Sequence, residues 1–283
     1  MNQNITKAIL PLAALSCVHG KMLAQDAARP NILYIMCDDH AMQAISAYGS
    51  PISKLAPTPN IDRLAQRGML FRNCFVENSL STPSRACLMT GLYSHQNGQR
   101  QLAEGIDTTK TFVPELMQKA GYETGIVGKW HMMCRPKGFD YYYILDGQGK
   151  YYNPNFCTTG NYGKYKQEMG YATTLTTQHA IEFLDHRQKD KPFCLYVHHK
   201  APHRSWFAEP KHIGMYDGVD FPLPKTFWDN YENRGSAAKT QKMNIEKDME
   251  LILDFKIPEL LDTSDVESMA SYEGLMGELG RMT

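Results

Sequence analysis

The chain has 283 residues, 42% of them hydrophobic and 21% charged, the composition of a globular protein with room for one large domain or two smaller ones. Thirty basic residues offset thirty acidic ones, so the net charge gives no footing for nucleic acid or an anionic membrane surface as a partner. No segment after the N-terminus is long and apolar enough to be a transmembrane helix, which takes about 20 residues.

In chain order, Lys7 precedes an apolar run from Ala8 to Val18, and small residues follow as far as Ala24. A basic start, a short apolar core and a small residue at a cleavage point predict a signal peptide over 1–24, with 25–283 as the exported domain. The expected location is periplasmic or secreted, and Ser16-Cys17 adds a degenerate site for a lipid anchor. Export would remove Cys17. Of the six other cysteines, Cys37 and Cys194 sit in the apolar runs ILYIMC and FCLYV, where buried thiols act as small hydrophobes.

Asn31 to Cys37 reads as a buried strand ended by Asp38-Asp39-His40. Thr58-Pro59 starts a helix that Gly68 ends. Met69 to Val76 reads as a strand, and Ser84 to Thr90 as a short helix stopped by Gly91. Thr111 caps a helix running to about Gly121. Thr124 to Val127 is a strand followed by Gly128-Lys129-Trp130-His131. Thr173 to His186 carries Ala180, Ile181 and Leu184 at helical spacing. Phe193 to Val197 is a further strand, followed by His198-His199-Lys200-Ala201-Pro202-His203, in which one of the first two histidines completes the strand. Residues 207–235 read as a surface excursion and 238–261 as helical. Strands alternating with helices predict an α/β fold, a mostly parallel sheet flanked by helices on both faces. The polar clusters fall just after strands, where such sheets place their ligands.

Four segments carry chemistry. Ser81 opens STPSRACLMTG, a Ser-Pro helix start with Arg85 one turn on. Asp38 and Asp39 are neighbours, and adjacent strand residues point to opposite faces. They can share one hard cation only where the strand ends and the chain bends, and Ca²⁺ takes about 6–8 oxygens, more than two aspartates supply. GYETGIVGKWH contains Lys129 and His131, and KAPH contains His203.

Together with RPNILYIMCDDH and TPNIDRLAQRGMLFRNCF, these motifs resemble the type I sulfatases, members of the alkaline phosphatase superfamily. The likeness runs from Arg29 to about Trp206. It implies that Ser81 is oxidised to formylglycine (3-oxoalanine), and that a serine at that position uses an anaerobic radical maturase. An aldehyde hydrate carries two hydroxyls, one to attack sulfur and one to expel sulfate, where a plain serine would be left as a stable ester. The resemblance further implies that Arg85 bonds the hydrate or a metal ligand, that Lys129 holds a sulfate oxygen, and that His131 serves as base. His203 would protonate the leaving alcohol. Asp38, Asp39 and Ser81 would ligate Ca²⁺. The family continues well beyond residue 283 and supplies further metal ligands there, so the chain reads as a truncated N-terminal catalytic domain lacking the small C-terminal subdomain. Asp229-Asn230 has no apolar strand before it and is not assigned to metal.

The expected substrate is a sulfated saccharide such as 6-O-sulfated N-acetylglucosamine in host glycans, with the tyrosines of GFDYYY and GQGKYYNP divided between stacking on sugar and packing a loop. Two other readings remain open: a phosphate or phosphonate ester hydrolase of the same superfamily, which paired ester assays would separate, and an inactive glycan-binding fragment, which the mass of the Ser81 peptide would separate.

Overall fold

Four parallel strands form the body of the sheet. The structure, a computed structural model, describes residues 29–282; the expected signal peptide lies outside them. The strands are β1 (Ile32–Cys37), β2 (Glu123–Gly128), β3 (Tyr141–Leu145), β4 (Asn155–Thr158), β5 (Lys166–Gln167) and β6 (Phe193–His199). Their spatial order is β1-β6-β2-β3-β4-β5, with β1, β6, β2 and β3 parallel and β4 and β5 added antiparallel at one edge. The last strand in sequence thus returns between the first two. The register sets Cys37 opposite His199 and Gly128 opposite His198, so β1, β6 and β2 release their chains at one edge. An open parallel sheet builds its site at that edge.

Alternation along β2 explains the layers. Ile126 joins Ala86, Met89, Phe112, Tyr142 and Tyr196 on one face, beneath α2 (Ser81–Thr90) and α4 (Val113–Lys119), with α3 (Ser94–Asn97) beside α2. Val127 joins Ala180, Phe183, Leu195 and Val197 on the other, beneath α5 (Ala172–His186). Successive strand side chains point to opposite faces, and here each face has its helix. A third cluster, built from Tyr151, Tyr152, Phe207, Ile252 and Leu275, packs the C-terminal residues against the loop after β6.

Several expectations hold: α1 (Pro59–Arg67) follows Thr58 and stops at Gly68, and α2 ends at Gly91 in the left-handed conformation. Others are corrected. Residues 69–76 form no strand. Phe71, Phe75 and Val76 are exposed there, and among the described residues no neighbouring strand offers a ladder to their backbone. Both His198 and His199 belong to β6. Residues 238–261 hold only short pieces, the end of α6 (Ser236–Thr240) and α7 (Ile245–Asp248), with a 3₁₀ turn at Pro258–Leu260. The longer C-terminal helix is α8 (Val266–Leu279), capped by the Asp265 carboxylate accepting from the Ser268 amide at 2.7 Å. Cys194 is buried as expected, but Cys37 is exposed on β1. Among the described residues, no helix is long and apolar enough to cross a membrane.

Candidate active site

The site begins where β1 stops. The Asp38 amide donates to the Ala201 carbonyl at 3.2 Å, tying the end of β1 to the loop after β6. Asp39 then takes φ +61°, a left-handed conformation uncommon for a side-chain-bearing residue. That bend is what two adjacent carboxylates need to escape opposite faces. Asp38 turns inward and is buried; Asp39 stays at the surface.

α2 brings Ser81 and Arg85. Ser81 is its first residue, and the preceding Leu80 has no side chain that could cap the helix. The first-turn amides therefore lack side-chain partners, and the positive end of the helix faces the Ser81 hydroxyl. Four residues on, Arg85 shares that helix face and donates from Nε to Ser81 Oγ at 3.3 Å. Its Nη2 donates to Asp38 Oδ2 at 3.1 Å and its Nη1 to the Lys129 carbonyl at 2.7 Å.

β2 delivers Lys129 through a glycine that nothing else could replace. Gly128 has φ +90°, and a Cβ there would lie 2.0 Å from the His198 carbonyl oxygen. That close approach lets the Lys129 amide donate to the same oxygen at 2.7 Å. The Lys129 side chain has no exposed surface, and its ammonium is ion-paired with Asp38 Oδ2. One carboxylate oxygen thus serves two cations. Burial opposes charge on all three groups: it pulls Arg85 and Lys129 below their usual values, against the pull of Asp38. Burial also acts to raise Asp38, but the Lys129 and Arg85 charges outweigh it and hold the carboxyl below the usual range.

His198 was not singled out in the sequence as a site residue, yet it sits in this cluster. Arg85 Nη1 lies 3.0 Å from its Nδ1. The Lys129 carbonyl oxygen is 3.2 Å from the same Nδ1, which therefore faces both a donor and an acceptor. Burial first, and then the Arg85 charge, drive its pKa well down. No sequence signal tells which face a strand histidine takes, because both were possible until β6 had neighbours on each side.

His131 and His203 flank the cluster. His131 is left-handed at φ +48°, and its Nδ1 is 3.3 Å from Thr82 Oγ1 in the first turn of α2. Burial, then Lys129 and Arg85, push its pKa down to about 4. His203 donates from Nδ1 to the Arg204 carbonyl at 2.6 Å, which turns Nε2 toward Asp39 Oδ2, 3.7 Å away.

All seven residues singled out in the sequence are therefore linked: Ser81 through Arg85 to Asp38 and Lys129, His131 through Thr82, and His203 through Asp39. Asp38, Asp39, Ser81 and Arg85 line a cleft of about 430 Å³ with Tyr34 and Asn78; Lys129, His131 and His203 do not line it. The tyrosines of the KYYNP tract are not sugar platforms. Tyr151 and Tyr152 are buried and donate to the His203 and Ala208 carbonyls, so they fasten the loop after β6. Asp229 is bonded to Arg234 at 2.8 Å, with no part in the site.

Two carboxylates and a hydroxyl on one cleft wall have the hard-oxygen chemistry that Ca²⁺ takes, though they fall short of about 6–8 ligands. Among the described residues no cluster of three His, Cys, Asp or Glu side chains could hold a metal ion. A cation here would draw its other oxygens from water, from the bound anion or from elsewhere in the protein.

Known proteins resemble the chain in sequence and in fold. The sequence model of the family described as Sulfatase matches residues 30–277. An N-acetylglucosamine-6-O-sulfatase of Bacteroides thetaiotaomicron is 44% identical over 263 residues, covering 91% of this chain and 46% of that protein. The human N-acetylgalactosamine-6-sulfatase is 31% identical over 220 residues, covering 65% of this chain and 42% of its own length. A solved structure described as a complex with its substrate D-glucosamine-2-N,6-O-disulfate superposes with TM-score 0.76 at 42% identity, over 90% of this chain and 53% of that one. A phosphonate monoester hydrolase of Agrobacterium radiobacter, at 18% identity and TM-score 0.53, shares the fold. The chain spans about half the length of the curated relatives it matches. On the match over residues 30–277, the chain belongs to the sulfatase family.

Proposed function

We propose that the protein hydrolyses sulfate esters on sulfated amino sugars, with 6-O-sulfated N-acetylglucosamine as the substrate class: ROSO₃⁻ + H₂O → ROH + HSO₄⁻. The observation that carries this reading is the placement of Ser81 at the positive end of α2, bonded to Arg85, with Arg85 and Lys129 both centred on Asp38. The substrate class follows from two relatives, the N-acetylglucosamine-6-O-sulfatase at 44% identity and the protein solved with D-glucosamine-2-N,6-O-disulfate at 42%. Export through residues 1–24, where this reaction would meet extracellular glycans, belongs to the same reading.

The residues divide the work. An aldehyde hydrate at position 81, produced by an anaerobic radical maturase, would supply one hydroxyl to take the sulfuryl group and one to release it. The α2 N-terminus and Arg85 draw the sulfate anion to that position. His131 is neutral at neutral pH, with a pKa near 4, and is free to take the proton of a hydroxyl beside Thr82. His203 delivers a proton to the departing sugar oxygen, which leaves poorly as an alkoxide. Asp38, Asp39 and the oxygen at position 81 would hold Ca²⁺, which lowers the pKa of an oxygen it binds. A paired assay tests the class. Matured protein should desulfate 6-O-sulfo-N-acetylglucosamine at least about a hundredfold faster than it dephosphorylates the 6-phosphate, since separately evolved ester specificities are differences in transition-state binding. Equal or faster phosphate release would reverse the assignment.

A further inference from the structure

His203 stands in the loop after β6, and a loop histidine has no intrinsic reason to hold one orientation. Its orientation is set by a single carbonyl: Nδ1 donates to the oxygen of Arg204 at 2.6 Å, and this leaves Nε2 facing Asp39. The position of that carbonyl depends on where Arg204 is fixed. The Arg204 guanidinium is turned away from the cleft and into the C-terminal segment. Its Nε lies 2.8 and 3.0 Å from the two Asp254 carboxylate oxygens, and its Nη2 reaches Asp254, Glu250 at 3.1 Å and the Asp248 carbonyl at 3.1 Å.

Asp254 meets the guanidinium with both carboxylate oxygens. Its side chain has no exposed surface, and its remaining acceptor capacity takes the Glu250 amide at 2.9 Å. A carboxylate removed from water is costly unless paired, so the buried Asp254 holds the guanidinium, whose side chain is 40% exposed, through a two-pronged bond. The next residue is held from the same side: Lys256 donates to the Ser205 carbonyl and to those of Leu253 and Asp254, and its ammonium lies 4.4 Å from the Phe207 ring. A stretch that forms almost no regular secondary structure thus holds the two peptide units that follow His203.

We propose that Asp254 is a positioning residue for His203, acting through the Arg204 guanidinium and carbonyl to aim the imidazole at the leaving oxygen. The claim rests on the assignment of His203 as the acid under the proposed function. It separates Asp254 from residues that merely stabilise the fold, because it ties the residue to one step. Protonation matters for a sugar alkoxide and hardly at all for a nitrophenolate, so misplacing the acid damages one ester class and spares the other.

The test compares kcat on 6-O-sulfo-N-acetylglucosamine and on 4-nitrophenyl sulfate for matured full-length protein carrying Asp254→Asn, Arg204→Lys or His203→Ala. General acids contribute about 10²–10⁴-fold, so Asp254→Asn should lower the sugar rate at least about tenfold while holding the aryl rate within about threefold. Arg204→Lys should fall on the same side, since an ammonium cannot reproduce the two-pronged bond. In the unmatured chain, Asp254→Asn should also speed amide exchange across residues 203–206 without changing α2. Equal losses on the two esters, no loss, or unchanged exchange in that loop would overturn the positioning role. If His203→Ala is selective and Asp254→Asn is not, only the clamp falls. If His203→Ala itself is not selective, the acid assignment falls and takes the clamp with it.

Discussion

At the scale of the residue, the centre of the site is one carboxylate oxygen shared by two buried cations. Asp38 Oδ2 accepts from Arg85 at 3.1 Å and pairs with Lys129. Replacing Asp38 by Asn keeps the shape and removes the charge, which leaves two like charges buried side by side. Breaking a buried pair costs about 3–5 kcal/mol, so Asp38→Asn without added calcium should lower stability by that order in chemical denaturation, and a loss under 1 kcal/mol would contradict the pairing. His131 gives a second expectation. Its pKa is pushed from 6.5 to about 4, so the unfolded chain binds a proton between those values that the native chain refuses. This group's contribution to stability is therefore full above about pH 6.5 and declines as pH falls toward 4. The acid limb of kcat/KM should have its midpoint near 4, and a midpoint near 6.5 would mean the ring is charged at mildly acidic pH. The seven candidate residues that the structure brings near one another were legible from their motifs. His198 and Asp254 were not: a strand histidine shows no face until the strand is paired, and an aspartate fifty residues from its arginine carries no spacing signal.

At the scale of the element, β1 is anomalous. Among the described residues it pairs with β6 on one side only, and its apolar side chains remain accessible on both faces: Leu33 and Ile35 are 50% and 52% exposed on one, Ile32 and Tyr34 36% and 37% on the other. Continuous apolar runs in parallel strands belong between neighbours and under helices. Leu64, Met69, Phe71 and Phe75 are exposed as well. Exposed edges and apolar patches of this kind drive association. The 283-residue chain should therefore bind a hydrophobic dye and self-associate in light scattering, and Leu33→Lys with Ile35→Lys should reduce both. A monomer that binds no dye would show that this face is covered by other means. The hydrophobic run made β1 readable as a strand, but a run alone cannot report its burial. For the same reason residues 69–76 read as a strand and are not one. The antiparallel β4 and β5 and the C-terminal α8 were not legible, since short strands and a helix rich in Gly and Ser carry weak periodicity.

At the scale of the whole molecule, the fold places one strand end after another at a common edge. Asp38, Lys129 and Lys200 follow β1, β2 and β6 directly, and α2 brings Ser81 over them. Alternating strands and helices made this α/β plan legible in advance, together with the rule that ligands gather beyond the carboxyl ends of strands. The return of β6 between β1 and β2 was not, because strand order is set by long-range pairing. The central claim is that Ser81 is the residue chemically converted and used. The most direct measurement is the mass of the peptide containing Ser81, from full-length protein produced anaerobically with a radical maturase, beside the sulfate-release rate of Ser81→Ala. The peptide should be lighter by two hydrogens than its serine form, and the Ser81→Ala protein should fold but lose turnover by orders of magnitude. An unmodified Ser81 in active protein, or undiminished sulfate release from Ser81→Ala, would contradict the claim.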